Sequence, residues 1–132
     1  GDVLLVHRGT LGKIGLIPKC PRYPRYIMGN SMLRVRTDPA KLLPEYLYYW
    51  LTSAAGQQFL FSHTSQVGVP AIPQPLATLR QAALPVPPIS NQRAIVGMAA
   101  HDQSARLGTQ AKVLGCDVIV CEIAPAHAHD QP

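Results

Sequence analysis

The stretch that decides the fold is residues 2–17, DVLLVHRGTLGKIGLI. Residues 2–7 are short, apolar and rich in strand-forming side chains, a composition that predicts a buried strand. Residues 8–13 hold two glycines, which can take the positive φ angles of a tight turn, and residues 13–17 predict a returning strand. The stretch therefore predicts a β-hairpin at the start of the chain.

Two further segments have clear periodicity. Residues 31–36, SMLRVR, alternate apolar and basic side chains, which predicts a strand with one solvated, positive face. A helix is predicted from Pro44, a residue suited to a first helical turn, to about Leu60. The side chains expected to pack this helix on the core are Leu47, Trp50, Leu51 and Ala54.

The remaining elements are shorter. Residues 62–75 are polar and then proline-rich, which indicates an exposed loop, and residues 76–79 predict one helical turn. Residues 83–88 are expected to be extended because residues before proline avoid the helical region, and Ser90 is expected to cap a second helix. Together the elements predict a mixed α/β fold, with a small twisted β-sheet flanked by helices.

Length and composition limit the class of protein. The chain has 132 residues, of which 47% are hydrophobic, so there is room for one compact domain with a buried core. No apolar run approaches the roughly 18 residues needed to cross a bilayer. Three cysteines form an odd, sparse set that fits a reducing compartment. We therefore expect a cytoplasmic protein with no membrane segment.

Positive charge is concentrated at the start of the chain. The net charge is +5, but residues 1–36 hold seven basic groups and one acid, whereas the remainder holds five basic and six acidic groups. The first quarter thus carries +6 and the rest −1. Such a field attracts polyanions, although a solvated basic face without a partner would have the same composition.

No motif indicates catalysis or a cofactor. Gly12 and Lys13 match only the end of a phosphate-binding G-x-x-x-x-G-K-[ST] loop, and Ile14 replaces its hydroxyl residue. Cys116 and Cys121 lack the close spacing of a structural zinc site. We expect neither a cofactor nor a metal.

The order of these features resembles the specificity subunits of type I restriction–modification systems. The likeness covers about residues 1–100. Six motifs carry it: residues 1–13 resemble the family's GD-(I/V)-L…RGT-IGK segment, residues 31–36 its next strand, residues 44–51 its P-x-YLYYWL helix, residues 68–72 its G-x-x-(I/P)-x-I loop, residues 76–88 its DL-x-x-L-x-I-P-x-PP segment, and residues 89–96 the L-x-EQ-x-x-IV start of its spacer helix.

The resemblance implies a noncatalytic subunit that reads double-stranded DNA. Residues 1–88 would form a target-recognition domain that reads one half of a bipartite site. Residues 89–132 would start a spacer helix that docks the methyltransferase (modification) and restriction subunits. The docking contacts would be Gln92, Ile95 and Val96.

Two departures from the family pattern concern this docking segment. Asn91 stands where an acidic residue is common. Residues 101–132 do not continue a long, charged helix, which indicates a truncated, frameshifted or divergent tail.

The residues expected to contact DNA lie in two exposed loop regions and are cationic, aromatic or polar. Lysine and arginine neutralise phosphates, while Arg, Asn and Gln can read base edges. The polar loop residues could instead form hydrogen bonds with nearby backbone groups. Each arginine could instead be a solvated surface charge with no DNA contact. The predicted contacts are Arg8, Thr10, Lys13, Lys19, Arg22, Tyr23, Arg25, Asn30, Ser65 and Gln66.

Two alternatives stay open. A DNA methyltransferase fragment with its own recognition domain would need an Asn/Asp-Pro-Pro-aromatic motif. Here Val86 precedes Pro87 and Pro88, and Ile89 follows them, so that motif is missing. The other alternative is a vestigial specificity subunit without a working complex, which the atypical tail favours.

Overall fold

The computed structural model of the chain describes residues 1–18 and 25–107. Its sheet contains three antiparallel strands, β1 (Val3–Val6), β2 (Ile14–Leu16) and β3 (Met32–Val35), in the order β2-β1-β3. The first strand is therefore the central one, paired on both sides.

β1 and β2 form the predicted hairpin. The turn between them holds Gly9 and Gly12 at φ angles of 85° and 81°, left-handed values that glycine adopts without strain. β3 pairs with the other edge of β1, with Arg34 opposite Leu4. The strand predicted within residues 31–36 is confirmed as well.

Within the described ranges the sheet is accompanied by helices α1 (Pro44–Thr52), α2 (Ala54–Ser62), α3 (Pro75–Arg80) and α4 (Ile89–Leu107). The fold is a small mixed α/β arrangement, as predicted. Among these residues no helix combines the length and apolar character that a bilayer crossing demands.

The prediction of one helix from Pro44 to about Leu60 is wrong. The helix is interrupted at Ser53, whose backbone is extended. The Ser53 hydroxyl then caps α2 by accepting a hydrogen bond from the amide of Gly56. A Cβ at Gly56 would lie 2.7 Å from the Cα of Leu51, so only glycine allows this close approach. Apolar residues keep a helical spacing on both sides of Ser53, so the sequence pattern does not reveal the interruption.

One face of the sheet and the first two helices enclose the core. Val3 and Leu5 of β1 are fully buried and pack with Leu51, Leu60 and Ile72. Because alternate strand residues point to opposite faces, Val3 and Leu5 place a single apolar face of the sheet against the helices.

The predicted apolar face of α1 is confirmed in part. Leu47 and Leu51 are buried in the core, and Trp50 packs at its edge. Ala54 is exposed because it begins α2 after the break, and so it does not continue the face of α1.

The later elements follow the prediction less closely. α3 confirms the helical turn predicted over residues 76–79. α4 begins at Ile89, so Ser90 lies in its first turn, and the prediction that Ser90 is the N-cap is wrong. The carbonyl oxygen of Pro88 already accepts hydrogen bonds from the amides of the third and fourth residues of α4, Asn91 and Gln92.

Candidate nucleic-acid interface

The sheet has a second face, opposite the helical core. Val3 and Leu5 point into the core, so alternation places Asp2, Leu4 and Val6 on this second face. Leu4 is only 2% exposed, so the centre of this face is covered, whereas the arginine side chains at its edge are exposed.

Arg34 and Arg36 lie on the second face of the sheet. Arg34 is paired directly with Leu4, and Arg36 follows two residues later. A groove of ≈ 530 Å³ confirms this placement, because both arginines line it together with Asp2 and Leu4. The far wall of the groove is the segment that contains Tyr26, Ile27 and Met28.

Both arginines approach one carboxylate. Arg36 donates from Nε and Nη2 to the two oxygens of Asp2, at 2.8 and 2.9 Å, in a forked pair. Nε of Arg34 lies 3.7 Å from Oδ2 of Asp2. The arginine side chains stay 56% and 70% exposed, for Arg34 and Arg36 respectively, so both remain open to a ligand.

The ion pairs also lower the pKa of Asp2. The pKa of Asp2 lies below its ordinary value of 3.8 because Arg36 donates hydrogen bonds to the charged carboxylate. Partial burial opposes this shift, and the charges of Arg36 and Arg34 add to it. Asp2 is consequently ionised at neutral pH and offsets one of the two positive charges.

Two more cations occupy the end of the same face. Lys13 lies opposite Val6, since the Val6 amide donates to the Lys13 carbonyl oxygen at 3.1 Å. Arg8 follows Val6 by two residues, so the same alternation carries it to this face. Both side chains are exposed and, among the residues described, neither forms an ion pair. We call Arg8, Lys13, Arg34 and Arg36 the basic face.

The second predicted DNA-binding loop lies beside Arg8. Ala71 pairs with Arg8 on one side and with Ser65 on the other. Directly paired residues of antiparallel segments point to the same side, so Arg8 and Ser65 flank Ala71 together. Gln66 follows and is exposed. The structure thus brings three of the predicted contacts to one place.

Three other predicted contacts are exposed. Thr10 lies in the β1–β2 turn with Arg8. Asn30 precedes β3, in a turn next to the end of β1, where the His7 amide donates to the carbonyl oxygen of Ser31. Arg25 directly precedes Tyr26, the first residue of the segment that walls the groove.

The other predicted contacts lie outside the described residues. They are Lys19, Arg22 and Tyr23. The same holds for Cys116, Cys121 and most of the tail predicted to be atypical. In the ranges that are described, no group of three or more His, Cys, Asp or Glu side chains is placed to hold a metal ion.

The predicted contact residues omitted Arg34 and Arg36. Their alternation with apolar residues already indicated a positive strand face, which was the available signal. What the sequence did not provide was the register that sets Arg34 opposite Leu4 and Arg36 against Asp2.

Gln92, one of the three predicted docking residues, is fully buried in this structure. Its Oε1 accepts from the amide of Leu43, and its Nε2 donates to the carbonyl oxygens of Lys41 and Pro87, all within 2.9 Å. No polar atom of this side chain remains for a partner. Of the other two residues, Ile95 is exposed and Val96 is half-buried.

Comparison with known proteins adds no relative. No model of a known protein family matches the chain, and no curated protein matches it at a significant level. The likeness to specificity subunits therefore stays a prediction that depends on the motifs, and the basic face has to be interpreted from its own geometry.

Proposed function

We propose that this chain binds double-stranded DNA through the basic face and acts as the noncatalytic, sequence-reading part of a restriction–modification complex. One observation carries the proposal. Four cations in or next to three neighbouring strands share one side of the sheet, and among the described residues a single carboxylate, that of Asp2, forms ion pairs with two of them. Such a face attracts a polyanion and holds it in register.

The dimensions of the face suit a duplex. From Asp2 to Arg8 the chain advances six residues, which is about 20 Å at the rise of a strand. Phosphates of one DNA strand advance about 3.4 Å per nucleotide along the helix axis, so about six nucleotides match this length. Two exposed guanidinium groups near one end and two cations at the other can then contact the backbone at separate points.

The chemistry of the complex belongs to other subunits in this proposal. The chain would read one half of a bipartite site, while a methyltransferase subunit flips and methylates adenine and a restriction subunit cleaves. The motif likeness supports these partners. Because Gln92 is buried, the docking surface of α4 in this proposal is its exposed side, which includes Ile95.

Salt-dependent duplex binding tests the basic face. The double variant Arg8→Gln/Lys13→Gln is compared with the unsubstituted chain on a 30-base-pair duplex by fluorescence anisotropy. Each lost phosphate contact should reduce the slope of log affinity against log salt by about 0.9, so we expect a drop of about 1.8.

The matched control is Arg80→Gln/Arg93→Gln, which removes the same charge from exposed positions on α3 and α4. It should leave most of the slope intact. Equal effects of the two double variants would show attraction by net charge alone, and absence of duplex binding would overturn the proposal.

The division of labour has a separate test. The isolated chain should transfer no methyl group from S-adenosylmethionine to DNA. The tagged chain recovered from its native cells should carry adenine methyltransferase activity. Activity in the isolated chain would favour the methyltransferase alternative, and its absence from both samples would favour the vestigial one.

A further inference from the structure

Residues 65–71 form a short projection that we call the finger. At its base, Ser65 and Ala71 exchange two backbone hydrogen bonds, with N···O distances of 2.8 and 3.1 Å. The amide of Gly9 donates to the carbonyl oxygen of Pro70 at 2.8 Å, and the next residue, Ile72, is buried in the core. The finger therefore has a fixed base beside the turn of Arg8.

The tip of the finger exposes apolar side chains. Val67 is 92% exposed and Val69 is 61% exposed, on either side of Gly68, whose φ is 76°. A Cβ at Gly68 would meet no atom within 4 Å. Gln66 at the start of the tip is exposed as well. The packing of the described residues gives these two valines no role in the core.

We propose that the finger enters the major groove and reads A·T base pairs, with Gln66 on adenine and Val67 and Val69 on thymine methyl groups. This inference depends on the proposed function, because the basic face must first hold the duplex. Arg8 belongs to the basic face and lies beside Ser65 at the base of the finger. The two surfaces are therefore continuous.

The size of the finger selects the groove. Two paired antiparallel segments lie about 5 Å apart, and side chains extend beyond them. The major groove is about 12 Å wide and admits a two-stranded ribbon, whereas the minor groove is only about 6 Å wide. A finger built on the Ser65–Ala71 pair fits the first and not the second.

The composition of the tip selects the base pair. A glutamine amide makes a bidentate contact with the major-groove edge of adenine, in which its Oε1 accepts from N6 and its Nε2 donates to N7. Thymine carries the one methyl group in the major groove, which is the natural contact for a valine. An A·T pair offers both features together, and a G·C pair offers neither.

Selection from a random 30-base-pair duplex library tests the finger. The full chain and the variants Gln66→Ala and Val67→Ser are each used for enrichment and sequencing. The unsubstituted chain should enrich A·T pairs at defined positions. Gln66→Ala should lower the preference for adenine there by about 5- to 150-fold, the range for one bidentate base contact.

Methyl deletion on the DNA gives an independent readout. Deoxyuridine in place of thymine at the enriched positions should weaken binding about fourfold per methyl, the value of one buried methylene-sized group. Val67→Ser should lose the part of this discrimination that Val67 provides, and Val67→Ser/Val69→Ser should bind both duplexes alike. The matched control Val86→Ser, at another exposed valine, should keep the discrimination.

Each outcome decides a specific point. Salt-dependent duplex binding without base preference or thymine-methyl discrimination would overturn the finger and leave the proposed function standing. Absence of any duplex binding would overturn the proposed function first. Val67-dependent binding to phosphatidylserine vesicles, with DNA selection unchanged in Val67→Ser, would assign the tip to an anionic membrane surface and overturn the proposal.

Discussion

The side-chain amide of Gln57 donates a hydrogen bond to the carbonyl oxygen of Gly12 at 3.1 Å. The same Nε2 donates to the carbonyl oxygen of Leu51 at 2.9 Å. One side chain of α2 thus joins the end of α1 to the β1–β2 turn. Lys13 follows Gly12 directly, so the position of this cation on the basic face depends on a residue far away in the sequence.

Replacing Gln57 by leucine should destabilise the fold. The change leaves the carbonyl oxygens of Gly12 and Leu51 without this donor, in a partly buried place. We expect a loss of about 1–3 kcal/mol in the free energy of unfolding, measured by urea denaturation. The neighbouring exposed Gln58→Leu should change it by no more than about 0.5 kcal/mol. Equal stabilities of the two variants would contradict the bridging role.

A substitution at Gly56 tests the break between α1 and α2. A methyl group there would clash with the backbone of Leu51 and with the carbonyl oxygen of Trp50. Because backbone atoms cannot shift without disturbing α1, Gly56→Ala should lower the free energy of unfolding by about 3 kcal/mol or more. Gly97→Ala in α4 is the control, since nothing lies within 4 Å of its added methyl. It should stabilise the helix by about 0.5–1 kcal/mol, and thermal unfolding distinguishes the two results.

The sequence predicts those elements whose signals are local. Residues 2–17 carry the short apolar run and the turn glycines, and these correspond to β1 and to the β1–β2 turn of the structure. Residues 44–60 keep a helical period across Ser53, so the break is missed. That break depends on the contact of Gly56 with the preceding helix, which no periodicity encodes.

The candidate site shows the same limit. The alternation in residues 31–36 predicts a positive strand face, but only the register places Arg34 and Arg36 near Asp2. Gln92 is the opposite case. A glutamine in a helix usually indicates a solvated surface, and its burial here depends on the distant carbonyl groups of Lys41 and Pro87.

Gln92 should be more important for stability than for docking. Gln92→Leu would leave a buried amide and two carbonyl oxygens without their present partners. We expect the free energy of unfolding to fall by about 3 kcal/mol, and amide hydrogen exchange at Leu43 to become faster. The adjacent exposed Asn91→Ala should have little effect on either quantity. Unchanged stability of Gln92→Leu would show that water replaces the amide, contrary to full burial.

The Asp2–Arg36 pair predicts a pH dependence. Because the folded-state pKa of Asp2 lies below its unfolded value near 3.8, the pair stabilises the fold above that pH. This contribution is lost as the pH falls through the lowered pKa. The effect should be small, since Arg36 is largely exposed to solvent. Urea titrations between pH 2 and pH 6 should show that Asp2→Asn lacks this acid-dependent component, and an identical profile would contradict it.

The same substitution should have the opposite effect on DNA binding. Asp2→Asn removes the carboxylate that, within residues 1–18 and 25–107, pairs with Arg34 and Arg36, so both guanidinium groups become free for phosphates. We expect tighter duplex binding at neutral pH and a salt slope steeper by about 0.9, the value of one further phosphate contact. Asp38→Asn makes the same change in net charge, and its amide side chain can still accept from the amide of Ala40. If Asp38→Asn strengthens binding as much as Asp2→Asn does, the attraction comes from total charge, and the second sheet face is not where the duplex lies.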